Sequence, residues 1–246
     1  QSAGPSGAVI VLNDMTHIRR LESVRKDFVA NVSHELKTPI TSIKGFVETL
    51  QEGAADDPEQ ARRFLTIIAR HTDRLNAIID DLLSLSRLEE DKKQHALTFK
   101  PTQLKPVLKN ALQASYLKAR EKQMVTEVDC PEDMTVRANA PLLEQAVGNL
   151  ISNAVKYSEP ESKVKIKAER WNNHVTISVT DTGCGIEQRH LARIFERFYV
   201  VDKGRSRKLG GTGLGLAIVK HIAQAHGGYV SVESTVGQGS IFSINL

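Results

Sequence analysis

Phe64, Ile68, His71, Leu75, Ile78, Leu82 and Leu85 recur at alternating steps of four and three. This is a heptad seam, which is buried when an α-helix packs lengthwise against another. Upstream, Leu21, Val24, Phe28, Val32, Leu36, Ile40, Ile43, Val47 and Leu50 also step by three or four, predicting a second long amphipathic helix. Between them GAADDPE (53–59) reads as a turn, with Asp56 or Asp57 as N-cap ahead of Pro58. Two helices with so short a connection form an antiparallel hairpin. One hairpin cannot bury both stripes, so a dimeric four-helix bundle built from residues 15–94 is the economical solution. His71 lies in the seam and reads as a packing residue rather than a catalyst.

The 246 residues allow one or two domains. The longest unbroken apolar run, Ala8 to Leu12, is far short of the roughly 20 residues a membrane-spanning helix needs. It reads as a β-strand whose partner strands are missing, and QSAGPSG before it reads as linker. The chain is therefore expected to be cut from a longer, membrane-bound parent, as its cytoplasmic portion. Cys130 and Cys184 have no CxxC spacing, which argues against a disulfide framework or a cysteine zinc site and suits a reducing compartment. The net charge of +4 comes from interspersed charges of both signs. With aromatics at only 5%, no base-stacking surface and no direct nucleic-acid partner are expected.

After the charged run 89–93 the pattern becomes mixed, and a second domain is expected over 95–246. Leu97–Lys100 is a candidate strand, and Gln103–Gln123 and Pro141–Lys156 are helical. Met124–Val128 and Met134–Ala138 flank CPED as an expected hairpin; Val164–Ala168 and Val175–Val179 flank Asn172-Asn173 as another. Leu214–Ala225 is helical and ends at Gly227-Gly228, before strands Tyr229–Glu233 and Ile241–Asn245. The expected fold class is α+β, with one layer of helices on one mixed, largely antiparallel sheet.

His34 lies on the first helix in FVANVSHELKTPITSIKG. At about 100° per residue it stands about 200° from Val32, facing water. A neutral imidazole there offers a lone pair near neutral pH. Glu35 can orient the ring or accept its proton, and Thr38 is one turn on. Pro39 removes a helical N–H and predicts a kink or bulge beside His34. The zinc signature HExxH fails, because Thr38 stands where its second histidine would be. An ordinary surface histidine on a kinked helix is the plainer alternative.

Asn149 and Asn153 share one face of the helix 141–156, opposite Leu143, Val147, Leu150 and Ala154, with Lys156 and Tyr157 following. Asparagine is a poor helix-interior residue, so two beside a lysine suggest amide oxygens and a cation aimed at a phosphate–metal ligand, or else merely a solvent-facing surface. Magnesium needs few protein oxygens besides phosphate and water. Asp181 follows a strand and opens DTGCGI, where a carboxylate can accept from an exocyclic amine and Gly183 and Gly185 allow close approach, unless this is only a strand-end turn. GGTGLGL (210–216) opens a helix, whose N-terminus attracts phosphate. A dinucleotide-binding Rossmann reading fails because DKGRSRKLGG before it is charged rather than a buried strand; the basic, glycine-bearing loop between Ile194 and Gly210 reads instead as a mobile lid over phosphates.

Taken together, these segments resemble the catalytic core of a two-component sensor histidine kinase, over about residues 15–246. The H box is FVANVSHELKTPITSIKG, the N box NLISNAVKYS, the G1 box DTGCGI, the F box IFERF and the G2 box GGTGLGLAI. The H box is most similar to kinases of the phosphate-regulon and cell-wall-sensing type. GAVIVLNDMT resembles the last strand of a PAS domain, making 1–14 a PAS-end remnant and linker.

The resemblance implies a dimerisation and phosphotransfer hairpin followed by a Bergerat-type α/β sandwich that binds ATP and Mg²⁺. It implies His34 as phosphoacceptor, Glu35 as its acid–base partner, and Thr38 as positioning water for dephosphorylation of the regulator. Asn153 becomes the Mg²⁺ ligand, with Asn149, Lys156 and Tyr157 near the phosphates and Asp181 on the adenine amino group. Gly183, Gly185, Gly211, Thr212, Gly213, Leu214 and Gly215 shape pocket and lid. The implied partners are a second copy, a response regulator receiver domain, and an upstream PAS or sensor domain. One departure is Val200, where the family commonly carries an arginine that approaches the γ-phosphate; Lys203, Arg205 or Arg207 would have to substitute. An ATPase of the gyrase and Hsp90 kind would share the nucleotide fold but has no reason to carry the HELKTP hairpin, and a degenerate kinase would keep the hairpin without binding nucleotide.

Overall fold

The computed structural model describes residues 15–94, 97–172, 174–202, 204 and 210–246. The expected strand Ala8–Leu12, Asn173 and the lid cations Lys203, Arg205 and Arg207 lie outside the described residues.

Helix α1, Thr16–Gln51, and helix α2, Pro58–Gln94, form the hairpin, joined by Gly53 in the left-handed region and a 3₁₀ turn Ala54–Asp56. Asp57 supplies the cap: its Oδ1 accepts from the backbone N–H of Glu59 at 2.9 Å and of Gln60 at 3.3 Å. Phe46 and Phe64 meet across the hairpin, ring centroids 5.4 Å apart. The α1 helix runs through Pro39 as continuous α-helix, without the expected bulge. Val29, Ile40, Val47, Leu65, Ile79 and Leu83 remain exposed.

Strand β1, Lys100–Gln103, starts three residues later than the sequence predicts. It pairs only with β3, Thr135–Ala138. Pro101 fits there because β1 has one partner and needs donors on one side alone. The single predicted helix 103–123 is two, α3 (Leu104–Gln113) and α4 (Tyr116–Glu121), separated at Ala114-Ser115. Strand β2, Val125–Asp129, does not form the predicted hairpin with β3; it runs parallel to β4, Lys163–Trp171. CPED supplies no residue with positive φ, which a tight hairpin turn requires, and instead crosses between two sheets. Helix α5 is Ala140–Tyr157, with Asn139 Oδ1 accepting from Leu142 N–H at 3.2 Å as its cap.

The β4–β5 hairpin forms as predicted, with β5 at His174–Asp181 and Asn172 at φ 54° in the turn. A short helix α6, Gln188–Leu191, precedes α7, Gly215–Ala225; β6 (Tyr229–Thr235) and β7 (Gly239–Asn245) complete the sheet. The five strands run β2-β4-β5-β7-β6 with one parallel pair. Val164, Ile166, Val175, Ile177, Val179 and Ile244 bury one face of the sheet beneath α3, α5 and α7. Burying each such side chain contributes about 1.5–3 kcal/mol. Leu85 and Leu88 of α2 join this same core, so the lower part of the hairpin packs against the sandwich.

Candidate functional site

Helix α5 and the start of α7 open a cavity of about 380 Å³ over the ends of β5 and β7. Asn149, Asn153 and Lys156 line it one turn apart from the α5 side, because their face lies opposite the buried Leu143, Val147, Leu150 and Ala154. Tyr157 follows, with Lys156 Nζ 5.5 Å from its ring centre. Asn149 Nδ2 reaches Gly215 O at 3.4 Å, tying α5 to the start of α7. Burial, reinforced by the positive charges of Lys118 and Arg74, pushes the Lys156 ammonium down to about 8.

Asp181 closes the far wall. Its Oδ1 accepts from Gly183 N–H at 2.8 Å, and burial raises its carboxyl against the lowering effect of the Gly183 and Ser240 backbone N–H groups. A Cβ on Gly183 would lie 2.7 Å from Tyr157 O and 2.8 Å from Asp181 Oδ1, so only glycine fits. Gly185, at φ 69°, has the Thr235 carbonyl in its place of a Cβ, 2.1 Å away. Gly211, Thr212, Gly213 and Gly215 form the opposite lip.

The structure thus brings together Asn149, Asn153, Lys156, Tyr157, Asp181, Gly185, Gly211, Thr212, Gly213 and Gly215. Gly183 is buried behind this wall, and Leu214 is fully buried in the core as the residue capping α7. Leu214 positions the loop from behind; it does not face the cavity. Val200 lines the cavity, its Cγ2 3.2 Å from where a Gly213 Cβ would stand.

His34, Glu35 and Thr38 lie on the hairpin, outside the cavity wall. The His34 side chain is 66% exposed, with Nδ1 3.8 Å from Glu35 Oε1. Glu35 Oε2 accepts from Arg74 Nη2 of α2 at 2.7 Å. Thr38 Oγ1 donates to His34 O at 3.1 Å, within the helix.

Several residues not singled out by the sequence join the two regions. Asp81 of α2 lines the cavity and accepts from the Thr212 hydroxyl at 2.7 Å. Arg197 pairs with Glu89 and stacks over Phe28, 5.2 Å from its ring centre, while Phe28 and Phe198 stand 6.0 Å apart. Gln145 Nε2 donates to Ser84 Oγ at 2.8 Å. Asp81 and Arg74 read in the sequence as ordinary polar positions between seam residues; the docking of α2 on the sandwich gives Asp81 its partner, and the packing of α2 on α1 gives Arg74 Glu35.

For a metal, the described residues hold no cluster of three or more His, Cys, Asp or Glu. The neutral amide oxygens of Asn149 and Asn153 suit a hard cation that keeps its waters and takes phosphate oxygens.

The architecture is a solvent-exposed histidine on a helical hairpin, docked beside a glycine-rimmed cavity in an α/β sandwich. Residues 24–91 match the family described as His Kinase A (phospho-acceptor) domain, and residues 138–246 the family of histidine kinase-, DNA gyrase B- and HSP90-like ATPases. The chain belongs to the two-component histidine kinases, of which it carries the catalytic core. It is 38% identical over 243 residues to sensor protein kinase WalK of Staphylococcus saprophyticus, matching 98% of this chain and 39% of that protein. To the sensor-like histidine kinase SenX3 of Mycolicibacterium smegmatis it is 39% identical, over 97% of this chain and 62% of that one. The chain thus spans less than two thirds of the length of either relative. The histidine kinase AdeS of Acinetobacter baumannii superposes with a TM-score of 0.68 at 28% identity, covering 87% of this chain and 96% of that one.

Proposed function

We propose that this chain moves the γ-phosphoryl group of ATP to His34 and then to an aspartate on a response regulator's receiver domain. The observation that carries this reading is the pairing of an exposed His34, with Glu35 at its Nδ1, and a phosphate-suited cavity joined to the same hairpin through Asp81. Nδ1 faces the carboxylate, which leaves Nε2 as the nucleophile. As the Nε2–P bond forms and the bond from Pγ to the leaving ADP oxygen breaks, the Nδ1 proton passes to Glu35 Oε1. Asp181 accepts from the adenine amino group, and Lys156 and the N–H groups of the 211–215 loop meet the phosphates. Asn153 is the Mg²⁺ ligand, with Asn149 beside it; the bound cation neutralises phosphate charge. Catalysis otherwise rests on alignment of His34 with the phosphorus.

Thr38 positions water for hydrolysis of the regulator's aspartyl phosphate once its hydroxyl leaves the His34 carbonyl. The exposed Val29, Ile40, Val47, Leu65, Ile79 and Leu83 support a homodimer through residues 15–94, leaving 95–246 as the ATP-binding domain. The resemblance of GAVIVLNDMT to a PAS strand supports a sensor domain upstream, and a place on the cytoplasmic side of a membrane-bound parent. Incubation with γ-labelled ATP tests the central step. The protein should acquire an acid-labile, base-stable label that His34→Ala abolishes; a label that survives in His34→Ala removes His34 as the acceptor.

A further inference from the structure

Arg74 is a buried cation on α2 whose only side-chain partner among the described residues is Glu35, across the hairpin. Its side chain is 7% exposed, whereas His34, on the far side of the Glu35 carboxylate, is 66% exposed. The contact is one-handed. Arg74 Nη2 meets Glu35 Oε2 at 2.7 Å, while the buried Nε has no acceptor. Arginine–carboxylate pairs are frequently bidentate, with two parallel bonds that use both oxygens. Here the second oxygen, Oε1, is left toward His34 Nδ1 at 3.8 Å.

We infer that Arg74 is the positioning residue of the phosphoacceptor: it fixes Glu35 by one oxygen so that the other faces His34 Nδ1, ready to close on its proton and leave the Nε2 lone pair free. The inference rests on the reading of His34 as acceptor and Glu35 as its acid–base partner. Arg74 exchanges no proton and touches no substrate. It removes the rotational freedom of a largely buried carboxylate, 19% exposed, and its guanidinium stays charged at any working pH.

The test uses the full chain with Mg·ATP, measuring the single-turnover labelling rate and, separately, the affinity for a non-hydrolysable ATP analogue. Glu35→Gln should slow labelling on the order of 100-fold. Arg74→Gln should slow it at least about tenfold, a loss bounded by that of the residue it serves, with nucleotide affinity unchanged. Arg74→Lys should restore much of the rate. Arg74→Gln combined with Glu35→Gln should be no slower than Glu35→Gln alone, because Arg74 acts through Glu35. A wild-type rate in Arg74→Gln while Glu35→Gln is slow overturns the inference and leaves the acceptor reading standing, as does a double variant in which the two losses multiply. A wild-type rate in Glu35→Gln overturns Glu35 as the acid–base partner and the inference with it; a label retained in His34→Ala overturns the acceptor reading as well. Nitrogen NMR of the unaltered chain makes the test independent of how the variants fold: neutral His34 should carry its proton mainly on Nδ1, and a predominance of the Nε2-protonated form overturns the inference.

Discussion

Asp81 and Thr212 join the hairpin to the nucleotide cavity: the Thr212 hydroxyl donates to the Asp81 carboxylate at 2.7 Å, and the same hydroxyl oxygen accepts from Leu214 N–H at 3.2 Å. One threonine therefore serves both the first turn of α7 and a helix of the other region. Burial raises the Asp81 carboxyl, the Thr212 bond lowers it, and Asp80 adds to the rise. An ionised carboxylate in this position competes with phosphate for the glycine lip.

Removing that charge should tighten nucleotide binding. Asp81→Asn keeps an acceptor for Thr212 but no negative charge, and calorimetry should give a severalfold higher affinity for Mg·ATP. Weaker binding would instead make Asp81 a support that holds the lip in its binding shape.

The glycines of the cavity differ in why they are glycine. Gly185 and Gly210 share φ 69°, but a Cβ at Gly185 meets the Thr235 carbonyl at 2.1 Å, while none of the described residues lies within 4 Å of a Cβ at Gly210. Gly210→Ala should cost about 1–2 kcal/mol, the intrinsic penalty of a left-handed alanine. Gly185→Ala should cost upward of about 3 kcal/mol, because β5's exit and the end of β6 must also separate. Chemical denaturation of the two variants measures the difference; equal losses would mean that the backbone around Gly185 yields freely.

The repeating features were the legible ones. The heptad seam at 64–85 and the three-or-four stripe at 21–50 each predict a long helix, the DDPE turn narrows the cap to Asp56 or Asp57, and the Asn149–Asn153 spacing sets one wall of the cavity. The CPED hairpin misled because β2 and β3 are short and the choice of partner lies elsewhere in the chain: β4 offers β2 a parallel edge, and β1 takes β3. Arg74 and Asp81 were invisible for a related reason. A polar residue one position from a seam looks solvent-facing until a second surface, here Glu35 on α1 or the Thr212 loop, covers it. Leu214 was placed in the pocket by the motif it belongs to, whereas its apolar side chain is drawn wholly into the core.

Val200 lines the cavity at the position where the resemblance implies an arginine, with its Cγ2 packed 3.2 Å from where a Gly213 Cβ would stand. Val200→Arg should raise the autophosphorylation rate by about tenfold or more, toward the range an added arginine gives in phosphoryl transfer. Equal rates in the two proteins would show that Lys203, Arg205 or Arg207 already supplies the charge.

Lys156 makes nucleotide binding depend on pH in a defined direction. Its pKa of about 8, against an ordinary value of 10.5, means that the folded protein holds this proton less tightly than the unfolded chain does. Its contribution to stability is therefore complete above pH 10.5 and is lost as pH falls through about 8. At neutral pH the ammonium is charged and half-buried, with no anionic partner among the described residues. Phosphate beside it reverses the balance, favouring the charged form and raising its pKa. Binding of Mg·ATP should accordingly take up a proton above pH 8, and affinity should weaken as pH rises from 8 toward 10. Calorimetry in two buffers of different ionisation enthalpy reads the proton uptake directly. Lys156→Met should bind more weakly at pH 7 and lose the uptake; uptake that persists in this variant would assign the proton to another group.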